Sequence, residues 1–199
     1  MPRRPSIGQA PGAVRIIGGR WRGRRLPVPA VDAVRPSSDR VRETLFNWLM
    51  PYLDGATCLD LFAGTGVLGF EALSRGAESA TFLDNDPRVI RHLEAARDLL
   101  AAGHTRILGY DAAAWLGGMT PQAHDIVFVD PPFAANLAGP ILDLLAQGWV
   151  ARTGVVYVEA AAAPILAPAW KLLRQGHTRQ VTYSLLAPAS TGERGEGEG

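Results

Sequence analysis

Five short apolar runs separated by four helical patterns constrain this chain more than any single motif does. Residues 57–61, 79–83, 105–108, 125–129 and 154–159 are strand-like, and residues 67–75, 87–102, 111–118 and 137–147 carry helical spacing. Strands apolar on both faces cannot leave one side in water, and strands joined through helices run parallel. The expected fold is therefore α/β, a mostly parallel sheet covered on both faces by amphipathic helices. Two further runs, 170–175 and 179–186, have no helix between them and read as a terminal antiparallel hairpin. With 199 residues and 47% hydrophobic content, the chain can bury one sizeable core, so one domain with small appendages is expected.

Several classes are disfavoured at once. No apolar segment follows Met1-Pro2-Arg3-Arg4 and no run reaches about 18 apolar residues, so a cytosolic protein is expected. Cys58 is the one cysteine and sits inside a strand-like run, where it reads as a small core residue. His92, His104, His124 and His177 show no metal-ligand spacing, and no metal is expected. The charge is uneven: residues 1–42 hold ten Arg against two Asp, +8, and the remainder carries −7. Such a split reads as a basic arm that meets a polyanion, attached to a mildly acidic body.

That arm has two parts. Residues 1–12 read as a poorly ordered basic tail. Residues 14–28 read as two short strands around a Gly-rich turn, with Arg15, Arg20, Arg22, Arg24 and Arg25 interleaved with Trp21. Guanidinium groups fork onto phosphates and stack on bases, so this ribbon suits RNA; the plainer alternative is an edge hairpin kept polar against aggregation. A helix then opens within 35–49. Ser37 or Ser38 can cap it, Asp39 favours its positive end, Val41, Leu45, Trp48 and Leu49 make the buried stripe, and Pro51 closes it.

After the first core strand comes Asp60-Leu61-Phe62-Ala63-Gly64-Thr65-Gly66-Val67-Leu68-Gly69, which opens a helix. Gly64, Gly66 and Gly69 satisfy G-x-G-x-x-G, and Asp84 stands twenty residues after Gly64. Read literally, this is a dinucleotide site with Asp84 on a ribose diol. Electrostatics argues against it, because a pyrophosphate seeks positive potential and Asp60 brings a carboxylate to the loop. S-adenosylmethionine reverses the requirement: its ammonium and sulfonium are cations that Asp60 attracts, while Gly64 and Gly66 let the backbone approach closely. Phe62, Ala63 and Thr65 complete that loop. In Asp84-Asn85-Asp86-Pro87, Asp84 is the expected ribose ligand and Asp86 the cap of the next helix. Asp111, followed by Ala112, occupies the corresponding tip of the third strand, where it can cap a helix, meet the adenine amine, or both.

The fourth strand ends in Asp130-Pro131-Pro132-Phe133. A carboxylate, a rigid turn and an aromatic ring at a strand mouth can hold a flat, amine-bearing base in line with a methyl donor.

In this order the pieces resemble class I methyltransferases, and DLFAGTG with DPPF resembles the branch that acts on exocyclic amines. VRIIGGRWRGRRLPVP, RPSSDRVRETLFNWL, CLDLFAGTGVLGFEALSRGA and IVFVDPPF further resemble the bacterial 16S rRNA (guanine-N2)-methyltransferase family, RsmD, over residues 14–186. One departure is Asp84, where the family pattern carries Glu; either carboxylate can bind a diol. The resemblance implies a Rossmann-like, seven-stranded sheet of order 3-2-1-4-5-7-6 with the last strand antiparallel. It implies methyl transfer from S-adenosylmethionine, leaving S-adenosylhomocysteine, to guanine N2 in the small ribosomal subunit. It also brings Asp39, Arg42 and Phe46 to one side of the cofactor pocket. In mechanism, Asp130 would accept one N2 hydrogen, the Pro131 carbonyl or a neighbour the other, and Phe133 would stack on the extruded base. The organisation expected is a basic tail (1–12), an RNA-binding hairpin (13–34), a catalytic domain (35–189) and a disordered tail (190–199), in a monomer. The competing readings are an amino-methyltransferase of adenine N6 or cytosine N4, an NAD(P)-dependent oxidoreductase, and a catalytically silent RNA-binding factor.

Overall fold

The computed structural model describes residues 12–29, 39–132 and 137–189. The tail 1–11, the caps Ser37 and Ser38, Phe133 and the tail 190–199 lie outside the described residues. The arm is a two-stranded antiparallel ribbon of β1 (Ala13–Arg15) and β2 (Arg25–Pro27). Val14 faces Leu26 on its inner side and Arg15 faces Arg25 on its outer side, and the tip is a 3-10 turn over Gly19–Trp21.

The main sheet joins β3 (Thr57–Asp60), β4 (Ser79–Asp84), β5 (Thr105–Gly109), β6 (His124–Val129), β7 (Val150–Ala160), β8 (Trp170–His177) and β9 (Thr182–Pro188). Their order is β5-β4-β3-β6-β7-β9-β8, which counted from β3 is 3-2-1-4-5-7-6. Only β9 runs against the rest, pairing antiparallel with both β7 and β8. The antiparallel hairpin expected after residue 170 is thus the sheet's last two strands. β7 begins four residues earlier than its apolar run: His124 pairs with Val150 but Ile126 with Val155, so a bulge carries the polar, exposed Arg152 and Thr153.

Alternation along each strand feeds two apolar layers. Cys58, Phe82, Phe128 and Tyr157 enter the layer under α1 (Asp39–Leu49), α2 (Val67–Ser74) and α3 (Pro87–Leu100). Leu59, Leu83, Val127, Val129 and Val158 enter the opposite layer under α4 (Ala112–Gly118) and α5 (Ala138–Leu145). Each fully buried aliphatic or aromatic side chain contributes about 1.5–3 kcal/mol, so this double layer carries the fold.

Two helices differ from expectation. In α1 the buried face is Val41, Arg42, Leu45, Phe46 and Leu49, with Trp48 half-buried against Tyr183 at 5.4 Å between ring centroids. In α2 all eight residues are buried, so the helix is not amphipathic. The ribbon covers what would have been its solvent side, and Trp21, Val14, Ile16 and Leu26 join the same core as Phe70. Among the described residues no helix is long and apolar enough to cross a membrane.

Candidate active site

Chain order reverses direction at β3, which pairs with β4 on one side and β6 on the other. The crevice at the carboxyl ends of these strands is where an open α/β sheet receives a ligand. Asp60 ends β3 and is buried. The turn after it is tight: Gly66 N–H donates to the Ala63 carbonyl at 2.7 Å, and Ala63 N–H to the Leu83 carbonyl at 2.9 Å. Gly64 and Gly66 sit at φ 50 and 72, a left-handed region that costs other residues strain. A Cβ on Gly66 would also stand 2.6 Å from Leu93 and 2.7 Å from the Phe70 ring. Gly69 serves packing, since a Cβ there would overlap the Phe82 ring, and its N–H donates to Asp60 Oδ2 at 3.3 Å. Burial raises the Asp60 pKa to about 7; the Gly69 amide opposes the rise and the Asp84 charge adds to it.

Asp84 turns toward this loop. Its Oδ2 accepts from Gly64 N–H at 3.1 Å and its Oδ1 from Asp86 N–H at 2.9 Å, and burial raises its pKa. Asp86 caps α3 by accepting from Arg88 N–H at 2.7 Å and pairs with the Arg88 guanidinium, which holds its carboxyl below the usual range. The two acids therefore separate: Asp86 takes the capping position expected of it, and Asp84 faces the loop. Asn85 between them is exposed, Phe62 is half-buried at the loop, and Ala63 and Thr65 are buried within it. Asp111 is exposed and caps α4, accepting from Ala114 N–H at 2.9 Å, with Ala112 packed beneath. His92 on α3 is half-buried, which lowers its pKa.

Across the crevice, β6 delivers Asp130, half-buried, then Pro131, buried, and Pro132, exposed. Alternation sets Asp60, Asp84 and Asp130 on the face of Phe82 and Phe128. The neighbouring strand adds a group that the motif reading missed: Glu159, buried, whose Oε2 accepts the Tyr157 hydroxyl at 2.8 Å. The signal was present, because Val155-Val156-Tyr157-Val158-Glu159 ends an apolar run in a carboxylate as the β3, β4 and β6 runs do.

The arm is welded to α2 by a second missed residue, Glu71, the single charge in an apolar helix. Its carboxylate accepts from Ile17 N–H, Gly18 N–H and Arg75 Nε, each at 2.7 Å, and lies 3.7 Å from Arg42 Nη1. Ser74 adds two bonds, accepting from Trp21 N–H at 2.9 Å and donating to the Gly18 carbonyl at 2.6 Å. Arg42 is fully buried, bonded to the Arg15 carbonyl at 2.9 Å and to Asp39, which also meets Arg15 at 3.3 Å. Arg42 is thus enclosed by protein and braces the arm, where the family resemblance had it lining the cofactor pocket with Asp39. Phe46 is fully buried against Phe128. On the ribbon, Arg15, Arg20, Arg22, Arg24 and Arg25 are exposed. Trp21 is not an open stacking platform: it is 9% exposed, packed into the core and covered by the Arg20 guanidinium at 4.0 Å.

The family model described as Conserved hypothetical protein 95 matches residues 14–187 of this chain. The Ribosomal RNA small subunit methyltransferase D of Escherichia coli K12 is 46% identical over 187 residues, 92% of this chain and 93% of that protein. Its counterpart in Haemophilus influenzae is 44% identical over 182 residues, 88% of this chain and 94% of that protein. Among solved structures, a putative methyltransferase of Escherichia coli, yhhF, superimposes with a TM-score of 0.82 at 46% identity, covering 89% of this chain and 98% of that one.

Proposed function

This chain belongs to the family described as Conserved hypothetical protein 95, and we infer that it transfers a methyl group from S-adenosylmethionine to the exocyclic N2 of a guanine in the 16S rRNA of the small ribosomal subunit. The curated relatives supply the reaction class and the substrate. The structural observation that supports the cofactor is Asp60, a buried carboxylate whose pKa stands near 7 and whose charged neighbour is another acid, Asp84. Such a site favours a cation, and the loop of Gly64 and Gly66 admits the backbone to close contact with it. The donor set therefore fits S-adenosylmethionine, with Asp60 toward the ammonium and sulfonium and Asp84 toward the ribose diol. A pyrophosphate would meet repulsion from both acids.

The bound cofactor would supply an electrophilic methyl group, with sulfur keeping the electron pair of the broken S–C bond and leaving as S-adenosylhomocysteine. The protein's task is to aim N2, whose lone pair is delocalised into the guanine ring. Asp130 accepts one N2 hydrogen, the Pro131 carbonyl accepts the other, and the nitrogen is thereby held in line with the methyl. As the new N–C bond forms, Asp130 takes up the N2 proton and passes it to solvent. Phe133 stacks on the extruded base, an interaction worth about 1–3 kcal/mol that offsets part of the unstacking. The exposed arginines of the ribbon meet phosphates. In this reading the enzyme is a cytoplasmic monomer and carries no metal.

The test is transfer of labelled methyl to small subunits from a strain lacking the enzyme, followed by nucleoside analysis. The wild type should yield N2-methylguanosine, and Asp130→Ala should yield none while still binding S-adenosylmethionine in calorimetry. Label in N6-methyladenosine would sink the reading, and loss of cofactor binding in Asp130→Ala would make Asp130 structural.

A further inference from the structure

The crevice that contains Asp60, Asp84 and Asp130 has a further carboxylate one strand along from Asp130. Phe128 on β6 lies in register with Tyr157 on β7, and Val129 with Val158. The next step brings Glu159 beside Asp130, and alternation turns both toward the face of Phe128 and Tyr157. Neighbouring strands lie about 4.8 Å apart, a span that one base edge can bridge. Glu159 is only 5% exposed, and the Tyr157 hydroxyl fixes the direction of its carboxylate through the 2.8 Å bond to Oε2. Burial, then the negative charges of Glu159 and Asp130, raise the Tyr157 pKa well above the usual phenol, so the hydroxyl remains a donor. A buried carboxylate is costly to keep unless it is hydrogen-bonded, and the Tyr157 hydroxyl supplies one such bond while holding the group at the strand's mouth.

Base chemistry gives it a task. Guanine carries a ring N–H at N1 next to its amine, whereas adenine N1 and cytosine N3 present a lone pair beside theirs. A carboxylate at that point attracts the first and repels the other two. Resting on the methyl-transfer reading above, we infer that Glu159 is the specificity residue of the same crevice: its carboxylate accepts the N1–H of the extruded guanine while Asp130 engages the N2 amine. Adenine and cytosine would each put a lone pair against a fixed, buried acceptor. A polar site left mismatched in this way rejects the wrong substrate far more strongly than an apolar pocket can.

2-Aminopurine isolates this interaction, because it keeps the amine but has a lone pair at N1. Small subunits are reconstituted with 16S rRNA carrying guanine or 2-aminopurine at the position that wild-type transfer maps. Glu159→Gln, whose amide can donate to a lone pair, should lower kcat/KM on guanine subunits about tenfold or more and narrow the guanine to 2-aminopurine ratio by a similar factor. Filter binding of the two subunits without cofactor should shift in the same direction, with S-adenosylmethionine binding and Tm unchanged. An unaltered ratio, or an equal loss on both substrates, would overturn the assignment. Where Glu159→Gln fails to fold, Tyr157→Phe decides: it keeps the charge but releases the carboxylate, so a narrowed ratio supports the role and an unchanged one refutes it. Wild-type enzyme that methylates neither subunit, or methylates elsewhere than N2, overturns the methyl-transfer reading itself and this inference with it.

Discussion

Replacing Glu71 with glutamine tests whether the arm is held to the catalytic fold by charge. Every group around the carboxylate is a donor: Ile17 N–H, Gly18 N–H and Arg75 Nε at 2.7 Å, and Arg42 Nη1 at 3.7 Å. Glutamine offers one oxygen, and whichever way the amide is turned its NH2 meets a donor. Arg42, fully buried, would keep only Asp39 and the Arg15 carbonyl. Removing one member of a buried pair costs about 3–5 kcal/mol. A backbone N–H left without an acceptor costs about 1–3 kcal/mol, and part of that is already contained in the first figure. We therefore expect a loss of about 4 kcal/mol, against a total stability of about 5–15 kcal/mol. For a chain of this length each kcal/mol lowers Tm by about 2–4 °C, so the transition should fall by about 8–16 °C. Urea unfolding followed by intrinsic tryptophan fluorescence gives the free energy. A double-mutant cycle with Arg42→Met isolates the pair, and trypsin reports release of the arm through faster cleavage between Arg15 and Arg25. A loss below about 1 kcal/mol, or additivity in the cycle, would refute the reasoning. The arm would then be held by Val14, Ile16, Trp21 and Leu26 alone.

Asp60 should give the cofactor-free protein a pH dependence of definite sign. Its folded pKa of about 7 lies above the usual 3.8. Between those values the folded chain holds a proton that the unfolded chain has released, so stability falls as pH rises, by about 1.4 kcal/mol per unit, and levels off above 7. Asp60→Asn should flatten that limb of the wild-type Tm curve; two parallel curves would show that Asp60 does not titrate there. Cofactor binding just below pH 7 should release a proton, read as a buffer-dependent heat in calorimetry, because a cation next to Asp60 lowers its pKa. On the ribbon, replacing Arg20, Arg22 and Arg24 with Ala should weaken RNA binding and flatten its log–log salt dependence by about 0.7–0.9 for each phosphate no longer neutralised. An unchanged slope would remove the ribbon from the interface.

The sheet was legible because its strands are apolar on both faces and its helices sit between them, a pattern with one compact solution. The glycine loop and the strand-tip acids were legible for a related reason: a carboxylate that ends an apolar run cannot move far from the strand's mouth. What sequence could not give was the covering. Trp21 lies among five arginines, so local composition reads as an exposed surface, yet the ribbon folds its inner side onto α2 and the ring goes with it. The same packing buries the outer face of α2, which makes Glu71 an anchor instead of a solvated charge. Arg42 followed from both, since a helix position that reads as polar in isolation becomes interior once the arm closes over it. Glu159 differs again: it ends an apolar run as the other strand-tip acids do, but no glycine loop or Pro-Pro turn follows to mark it.

Two buried carboxylates, Glu71 on α2 and Asp60 at the end of β3, end in opposite situations, and the contrast bears on what the crevice binds. Glu71 has Arg75 at 2.7 Å and Arg42 at 3.7 Å, and both cations belong to the chain. Its charge is compensated within the fold, and its role is structural. Asp60 receives a backbone amide from Gly69, and the charge that shifts it is a second acid, Asp84; no described cation figures among the groups that shift it. If burying Asp60 served stability, an arginine at the loop would cancel the cost as Arg42 and Arg75 do for Glu71. Among the described residues none compensates the acid, which lies beneath a loop of two left-handed glycines, Gly64 and Gly66, whose backbones admit a ligand to close range. A cationic ligand supplies the missing charge, gains from the low dielectric that makes Asp60 costly alone, and stabilises the fold as it binds. NADH offers no such gain, since its pyrophosphate is repelled by the same acid. The two ligands should therefore separate in a thermal shift measured above pH 7, where Asp60 is ionised: S-adenosylmethionine raises Tm and NADH does not. A shift from NADH alone would reverse the electrostatic argument for the site.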